Sequence, residues 1–64
     1  MLILFANPTS GRGKGAKVLS IIENFLKLSN EVFSSISTKS LEQSLFLLKE
    51  SVNKYPHAKI VVIG

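Results

Sequence analysis

The fold is decided by residues 2–15, which read LILFANPTSGRGKG. The first five residues form an apolar run without alternation, which is typical of a strand covered on both faces of a parallel sheet. The following nine residues combine a proline, two hydroxyl side chains, three glycines and two cations. We therefore expect a buried strand, then a tight loop, and then the start of a helix.

The rest of the chain extends this strand–loop–helix pattern. Residues 59–63 form a second apolar run, rich in β-branched side chains, and residues 31–37 give a weaker strand signal. Helical periodicity covers about residues 15–28 and 41–55. The order predicts a β-α-β-α-β chain of the α/β class, with a parallel sheet between two helical layers and right-handed crossovers.

Apolar positions at helical spacing predict which face of each helix meets the sheet. In the first helix they are Val18, Ile21, Ile22 and Phe25, widened by Leu19 and Leu26. In the second they are Leu41, Leu45, Leu48, Val52 and Tyr55. Ser40 with Gln43 fits a capping box at the start of the second helix, and Pro56 stops that helix.

Composition excludes several classes of function. A chain of 64 residues holds one domain at most. It has no cysteine and a single histidine, His57, so disulfides, thiolate metal sites and His-rich metal clusters are excluded. No stretch is apolar for the roughly 18 residues that a membrane span needs. The net charge of +4 favours an anionic partner, but no aromatic interleaving supports nucleic acid.

The loop after the first strand has the composition of a phosphate site. Open α/β sheets bind ligands at the carboxyl ends of their strands, and a helix start offers free N–H groups and a positive dipole end. Glycines let the backbone approach an anion closely. Thr9 and Ser10 add hydroxyl donors, and Arg12, Lys14 and Lys17 add charge.

The spacing within this loop excludes one phosphate motif and leaves another open. A Walker A loop needs Ser or Thr after its Gly-Lys pair, whereas Gly15 follows here. Gly11, Gly13 and Ala16 satisfy the loose dinucleotide fingerprint. An NAD(P)-binding oxidoreductase domain is therefore an alternative, in which Lys39 would favour a 2′-phosphate.

The segment Asn7-Pro8-Thr9-Ser10-Gly11 directly after an apolar strand resembles the opening of the diacylglycerol kinase catalytic domain family, which includes bacterial lipid kinases and sphingosine kinases. Thr38 stands where that family has a threonine after its second strand. The final Ile60-Val61-Val62-Ile63-Gly64 is similar to the third strand and the first glycine of the family's Gly-Gly-Asp-Gly-Thr loop. The resemblance covers the whole chain in order.

The resemblance implies an ATP-dependent kinase that transfers the γ-phosphoryl group to a lipid hydroxyl such as that of diacylglycerol. The implied ATP contacts are Asn7, Pro8, Thr9, Ser10, Gly11, Thr38 and Gly64. For Thr38, capping of the second helix is an equal alternative, although Ser40 competes for that position. The resemblance further implies a cytoplasmic enzyme of lipid metabolism that meets its substrate at the membrane surface, with no nucleic-acid partner.

Magnesium is the second cofactor that the resemblance implies, but its ligands are expected elsewhere. Mg²⁺ prefers carboxylate oxygens, and the chain has no aspartate. Glu23, Glu42 and Glu50 lie on predicted helix faces, where we expect them to be solvated. We therefore expect residues 1–64 to be the N-terminal portion of a nucleotide-binding domain that continues beyond Gly64, and to be inactive alone.

Two further functions remain open. A kinase that phosphorylates NAD shares the later glycine-rich loop of the lipid kinases, so the substrate class needs an assay. A non-catalytic module, whose basic loop docks on anionic lipid or nucleic acid, would bind in a strongly salt-dependent way without preferring nucleotide.

Overall fold

The structure is a computed structural model that describes residues 1–8 and 14–64. Its elements are β1 (Leu2–Ala6), α1 (Lys14–Leu28), β2 (Phe33–Ser37), α2 (Leu41–Lys54) and β3 (Lys59–Ile63). The expected β-α-β-α-β order is confirmed. Each helix begins and ends within about a residue of its expected bounds, and β2 is shorter at its amino end than residues 31–37 suggested.

The three strands form one parallel sheet in the order β2-β1-β3. Ala6, the last residue of β1, pairs with Ser37 of β2 on one side and with Ile63 of β3 on the other. The strands therefore end in register. Asn7, Thr38 and Gly64, each the first residue after its strand, lie at the same edge of the sheet.

Alternate residues of β1 face two different apolar clusters. Leu4 and Ala6 pack with Leu19 and Leu26 of α1 and with Ile63 of β3. Ile3 and Phe5 pack with Ile36 of β2, and Leu48 of α2 lies against this second cluster. The helices thus cover opposite faces of the sheet, which confirms the three-layer arrangement. Crossovers of one hand require this outcome when the strand order reverses at β1.

The face of α1 that meets the sheet differs from the predicted one. Gly15, Leu19 and Leu26 are buried and Ile22 is half-buried, whereas Ile21 and Phe25 are 64% and 67% exposed. The apolar band of α1 is wider than the strip that one sheet face can cover. Periodicity alone located the band, and packing against Leu4 and Ile63 places its Leu19–Leu26 side on the sheet.

The face of α2 that meets the sheet is also shifted from the predicted stripe. Ser44 is fully buried, Leu48 and Ser51 are half-buried, and Leu45 is 50% exposed. Leu41, Val52 and Tyr55 are likewise exposed. Ser44 makes a hydrogen bond toward the end of β2, and this polar contact belongs to the buried side of the helix. The expected leucine stripe is therefore only partly core.

Each helix has a defined cap at one end, α2 at its amino end and α1 at its carboxyl end. Ser40 accepts a hydrogen bond from the Gln43 N–H (3.4 Å), which confirms the predicted N-cap of α2. After α1, Asn30 adopts a left-handed conformation (φ 57°). The Asn30 N–H donates to the Lys27 carbonyl and the Glu31 N–H to the Leu26 carbonyl, the pattern of a Schellman motif. Among the described residues, no helix is long and apolar enough to cross a membrane.

Candidate functional site

The candidate site lies at the carboxyl edge of the sheet, where the first residue after β1 is hydrogen-bonded to the last residue of β3. The backbone N–H of Asn7 donates to the carbonyl of Ile63 over 3.0 Å. Gly64, the next residue, has φ 116°, a conformation that a side chain with a Cβ would strain. At this edge, the start of the loop after β1 therefore lies beside Gly64, whose backbone conformation suits glycine and would strain other residues.

A cavity of about 250 Å³ opens between the ends of β1 and β2 and the start of α1. It is lined by Ala6, Asn7, Pro8, Gly15, Ala16, Ser37, Thr38 and Lys39. Three of the predicted nucleotide contacts, Asn7, Pro8 and Thr38, thus share one cavity. Asn7 and Thr38 are far apart in the sequence, and the parallel pairing of β1 with β2 is what brings them together.

Gly64 lines a second cavity, of about 400 Å³, on the β3 side of α1. Its walls are Lys14, Gly15, Val18, Ile22, Val61, Val62, Ile63 and Gly64. Most of these side chains are apolar, so this larger space is less suited to phosphate than the smaller one. The buried Gly15 lines both cavities. A larger side chain at position 15 would fill part of one or the other.

The hydroxyl of Thr38 is held by three partners. It lies 2.7 Å from the Ser40 carbonyl oxygen, to which it donates, and the Ser40 N–H donates to it over 3.2 Å. The Ser44 Oγ lies 2.6 Å away. Thr38 therefore supports the start of α2 without being its N-cap, which is Ser40. It also takes the Ser40 N–H that a capping box would have assigned to Gln43.

The remaining predicted phosphate contacts, Thr9, Ser10 and Gly11, lie outside the described residues, as do Arg12 and Gly13. The described chain reaches the site from both sides of this gap, through Pro8 and Lys14. Both of these residues line cavities at the carboxyl edge.

The described residues around the smaller cavity fit a phosphate group. Thr38 has a hydroxyl, Lys39 is exposed and cationic, and the first turn of α1 has no acidic side chain. The unpaired N–H groups of a helix start attract anions. Among the described residues that line the two cavities, none has an Asp or Glu side chain, whose negative charge would repel a polyphosphate.

The described residues do not fit a magnesium ion. Among them, no three acidic, histidine or cysteine side chains are grouped as a metal site. Glu42 and Glu50 are exposed, as expected, but Glu23 differs from expectation. It is half-buried and accepts a hydrogen bond from the Ser35 hydroxyl of β2 over 2.6 Å. This carboxylate joins α1 to the sheet instead of facing only solvent.

Sequence reasoning did not single out Ser44, which is buried beside Thr38. A serine within an otherwise leucine-rich stripe, one turn after the N-cap Ser40, was the signal available. That signal is weak, because serine is also common on exposed helix faces.

One comparison with known proteins identifies the family. The sequence profile described as the diacylglycerol kinase catalytic domain matches residues 1–64, the whole chain. Neither the curated proteins nor the solved structures contain a significant match. The chain belongs to the diacylglycerol kinase catalytic domain family. At this coarse level the family is one of kinases, and the resemblance that the sequence suggested is confirmed over the whole chain.

Proposed function

We propose that this member of the diacylglycerol kinase catalytic domain family forms the N-terminal part of the ATP-binding domain of a lipid kinase. The kinase transfers the γ-phosphoryl group of ATP to a lipid hydroxyl, such as that of diacylglycerol, at a membrane surface. Because the described residues offer no grouped carboxylates for Mg²⁺, we place no metal ligand among them. Residues 1–64 alone bind part of the nucleotide and catalyse nothing.

The observation that carries this proposal is the shared cavity of Asn7, Pro8 and Thr38 at the carboxyl edge of the sheet. The family assignment predicts nucleotide contacts at these three positions. Thr38 lies about thirty residues after the other two in the sequence. The parallel register of β1 and β2 places them around one space. A surface turn that only reverses the chain would not need a threonine and a lysine from the segment after β2 beside it.

The roles we assign follow from the chemistry of each residue. We assign the phosphate contacts to the segment from Asn7 to Gly11, through its backbone N–H groups and the hydroxyls of Thr9 and Ser10, and Lys39 offsets negative charge. Thr38 donates its hydroxyl to the nucleotide. Gly64, with its positive φ, begins a second backbone turn on the β3 side. Together these groups hold a nucleotide in position, which is most of what phosphoryl transfer asks of a protein.

The test is an assay of the full natural chain with γ-labelled ATP and diacylglycerol in mixed micelles. We expect label to appear in phosphatidic acid. Changing Ser10→Leu together with Gly11→Val should raise the KM for ATP at least about tenfold. The larger side chains would keep the phosphates away from the backbone N–H groups. The matched control is Asn53→Leu, on the exposed side of α2, which should leave the KM for ATP unchanged.

Two results would contradict the proposal. Absence of ATP-dependent lipid phosphorylation would remove the lipid-kinase function. An unchanged KM for ATP in the loop variant would remove the phosphate role of the loop, even if the enzyme is active.

Parallel incubations separate the alternatives. Transfer of label to NAD would indicate an NAD kinase, and tight binding of NADPH without ATP binding would indicate a dinucleotide-binding oxidoreductase. A non-catalytic module would bind anionic vesicles without any preference for nucleotide.

A further inference from the structure

Ser44 is a fully buried polar residue on the sheet-facing side of α2. Its hydroxyl lies 2.6 Å from the Thr38 hydroxyl. Burial of a hydroxyl is costly unless it is hydrogen-bonded. At a helix position that faces the core, alanine, which is close to serine in size, or the apolar leucine would avoid this cost. The contact with Thr38 is therefore the specific feature of this position.

The direction of the hydrogen bonds follows from counting protons. Thr38 has one hydroxyl proton, and the Ser40 carbonyl at 2.7 Å is able only to accept it. The Ser40 N–H at 3.2 Å is able only to donate. With the Thr38 proton directed at Ser40, the Ser44 hydroxyl must donate to Thr38 Oγ1. Both lone pairs of Thr38 are then occupied, and its proton is the one group left to redirect.

This arrangement bears on ligand binding because Thr38 lines the 250 Å³ cavity. An incoming oxygen of a nucleotide accepts hydrogen bonds, so it competes with the Ser40 carbonyl for the Thr38 proton. A hydroxyl that already accepts two hydrogen bonds is polarised and is a stronger donor. Ser44 supplies one of those two hydrogen bonds from the protein interior, where water does not replace it.

We propose that Ser44 is a positioning residue of the nucleotide site, which orients Thr38 so that its hydroxyl donates its hydrogen bond to an oxygen of bound ATP in place of the Ser40 carbonyl. This inference rests on the proposed function, in which Thr38 contacts the nucleotide. Ser44 does not touch the nucleotide itself. Its effect reaches the ligand only through Thr38.

The experiment is a double-mutant cycle on the full natural chain, read out as the Kd for ATP by calorimetry. Ser44→Ala should raise the Kd about threefold to tenfold, the range expected for loss of one hydrogen bond. Thr38→Val should raise it at least as much. In the Thr38→Val background, adding Ser44→Ala should change the Kd by less than about 1.5-fold, because no hydroxyl remains to be oriented.

Ser51→Ala is the matched control, since Ser51 is a half-buried serine on the same helix. It should leave the Kd for ATP unchanged. Thermal unfolding of each variant separates loss of stability from loss of binding, and a purely structural role for Ser44 would lower Tm without coupling to Thr38 in the Kd.

The remaining outcomes separate the nucleotide role of Thr38 from the positioning role of Ser44. If native protein binds no ATP, or if Thr38→Val leaves the Kd unchanged, the nucleotide role of Thr38 is wrong and the role of Ser44 falls with it. If Thr38→Val weakens binding but Ser44→Ala does not, only the role of Ser44 is wrong. Equal effects of Ser44→Ala in both backgrounds would also overturn it.

Discussion

At the scale of single residues, this chain places unusual backbone conformations at two ends of elements. Gly64 has φ 116° directly after β3, and Asn30 has φ 57° two residues after the end of α1. The first lies at the candidate site, where a glycine-rich turn suits close approach of phosphate. The second lies at the opposite end of α1 and serves the helix, because its Schellman hydrogen bonds satisfy carbonyls of the last turn.

The conformation of Asn30 predicts a specific pattern of stability. Asn30→Ala should destabilise the protein by about 1 kcal/mol, because residues other than Gly, Asn and Asp adopt the left-handed conformation only at a cost in energy. Asn30→Gly should stay within about 0.5 kcal/mol of native. Chemical denaturation of the full natural chain measures both changes.

The control for Asn30 is Asn24→Ala, an exposed position inside α1. At that position alanine should stabilise the protein by about 0.3 kcal/mol, because alanine has a higher helix propensity than asparagine. Equal effects of alanine at positions 24 and 30 would show that Asn30 is not left-handed in solution.

At the scale of elements, each helix has a broader apolar band than the sheet covers. On α1 the sheet covers Leu19 and Leu26 and leaves Ile21 and Phe25 exposed. On α2 the covered side includes Ser44, whose hydrogen bond to Thr38 joins the helix to the end of β2. The orientation of α2 and the geometry of the candidate site are therefore linked through Thr38, which contacts both Ser44 and the N-cap Ser40.

The orientation of α1 predicts unequal effects of two similar substitutions. Leu19→Ala should cost about 2–5 kcal/mol, since it opens a cavity in the cluster around Leu4 and Ile63. Ile21→Ala removes the same number of carbons from a side chain that is 64% exposed, and it should cost less than about 1 kcal/mol. Urea denaturation midpoints of the full natural chain compare the two variants.

A milder variant, Leu19→Met, keeps the α1 comparison measurable if Leu19→Ala does not fold. It should cost less than about 1.5 kcal/mol, because the volume is nearly conserved. A loss at Ile21→Ala as large as that at Leu19→Ala would mean that the opposite face of α1 is buried.

At the scale of the whole molecule, charge and topology act at the same edge. The chain has a net charge of +4, and Lys14 and Lys39 line the two cavities at the carboxyl edge. The parallel order β2-β1-β3 gathers the three strand ends there. A polyanion such as ATP would therefore meet both the local cations and the positive field of the molecule.

This charge distribution predicts that ATP binding is sensitive to salt. Raising the ionic strength from about 0.05 to about 0.5 M shortens the range of electrostatic attraction, so the Kd for ATP should rise at least about threefold. Neutral adenosine is the matched ligand control, and its Kd should hardly change. Calorimetry at each salt concentration measures both. Equal salt dependence for the two ligands would show that charge contributes little to recognition of the phosphates.

The class of the fold and the location of the candidate site could be predicted from the order of the residues. Two apolar runs without alternation indicated buried parallel strands, and the glycine-rich loop after the first indicated a ligand at the carboxyl edge. The faces of the helices could not be predicted as well. The apolar residues of α1 and α2 are spread around too much of each helix for periodicity to choose between Leu19 and Ile21, or between Ser44 and Leu45.

The order of residues along the chain was enough to establish the succession of strands and helices, the N-cap at Ser40 and the family, because each depends on local patterns or on their order in the sequence. The assembly of Asn7, Pro8 and Thr38 around one cavity, and the contact of Ser44 with Thr38, came only from the packed molecule. Both depend on the register between parallel strands and on the rotation of a helix over the sheet. Those quantities are set by contacts between distant segments, which no short stretch of sequence contains.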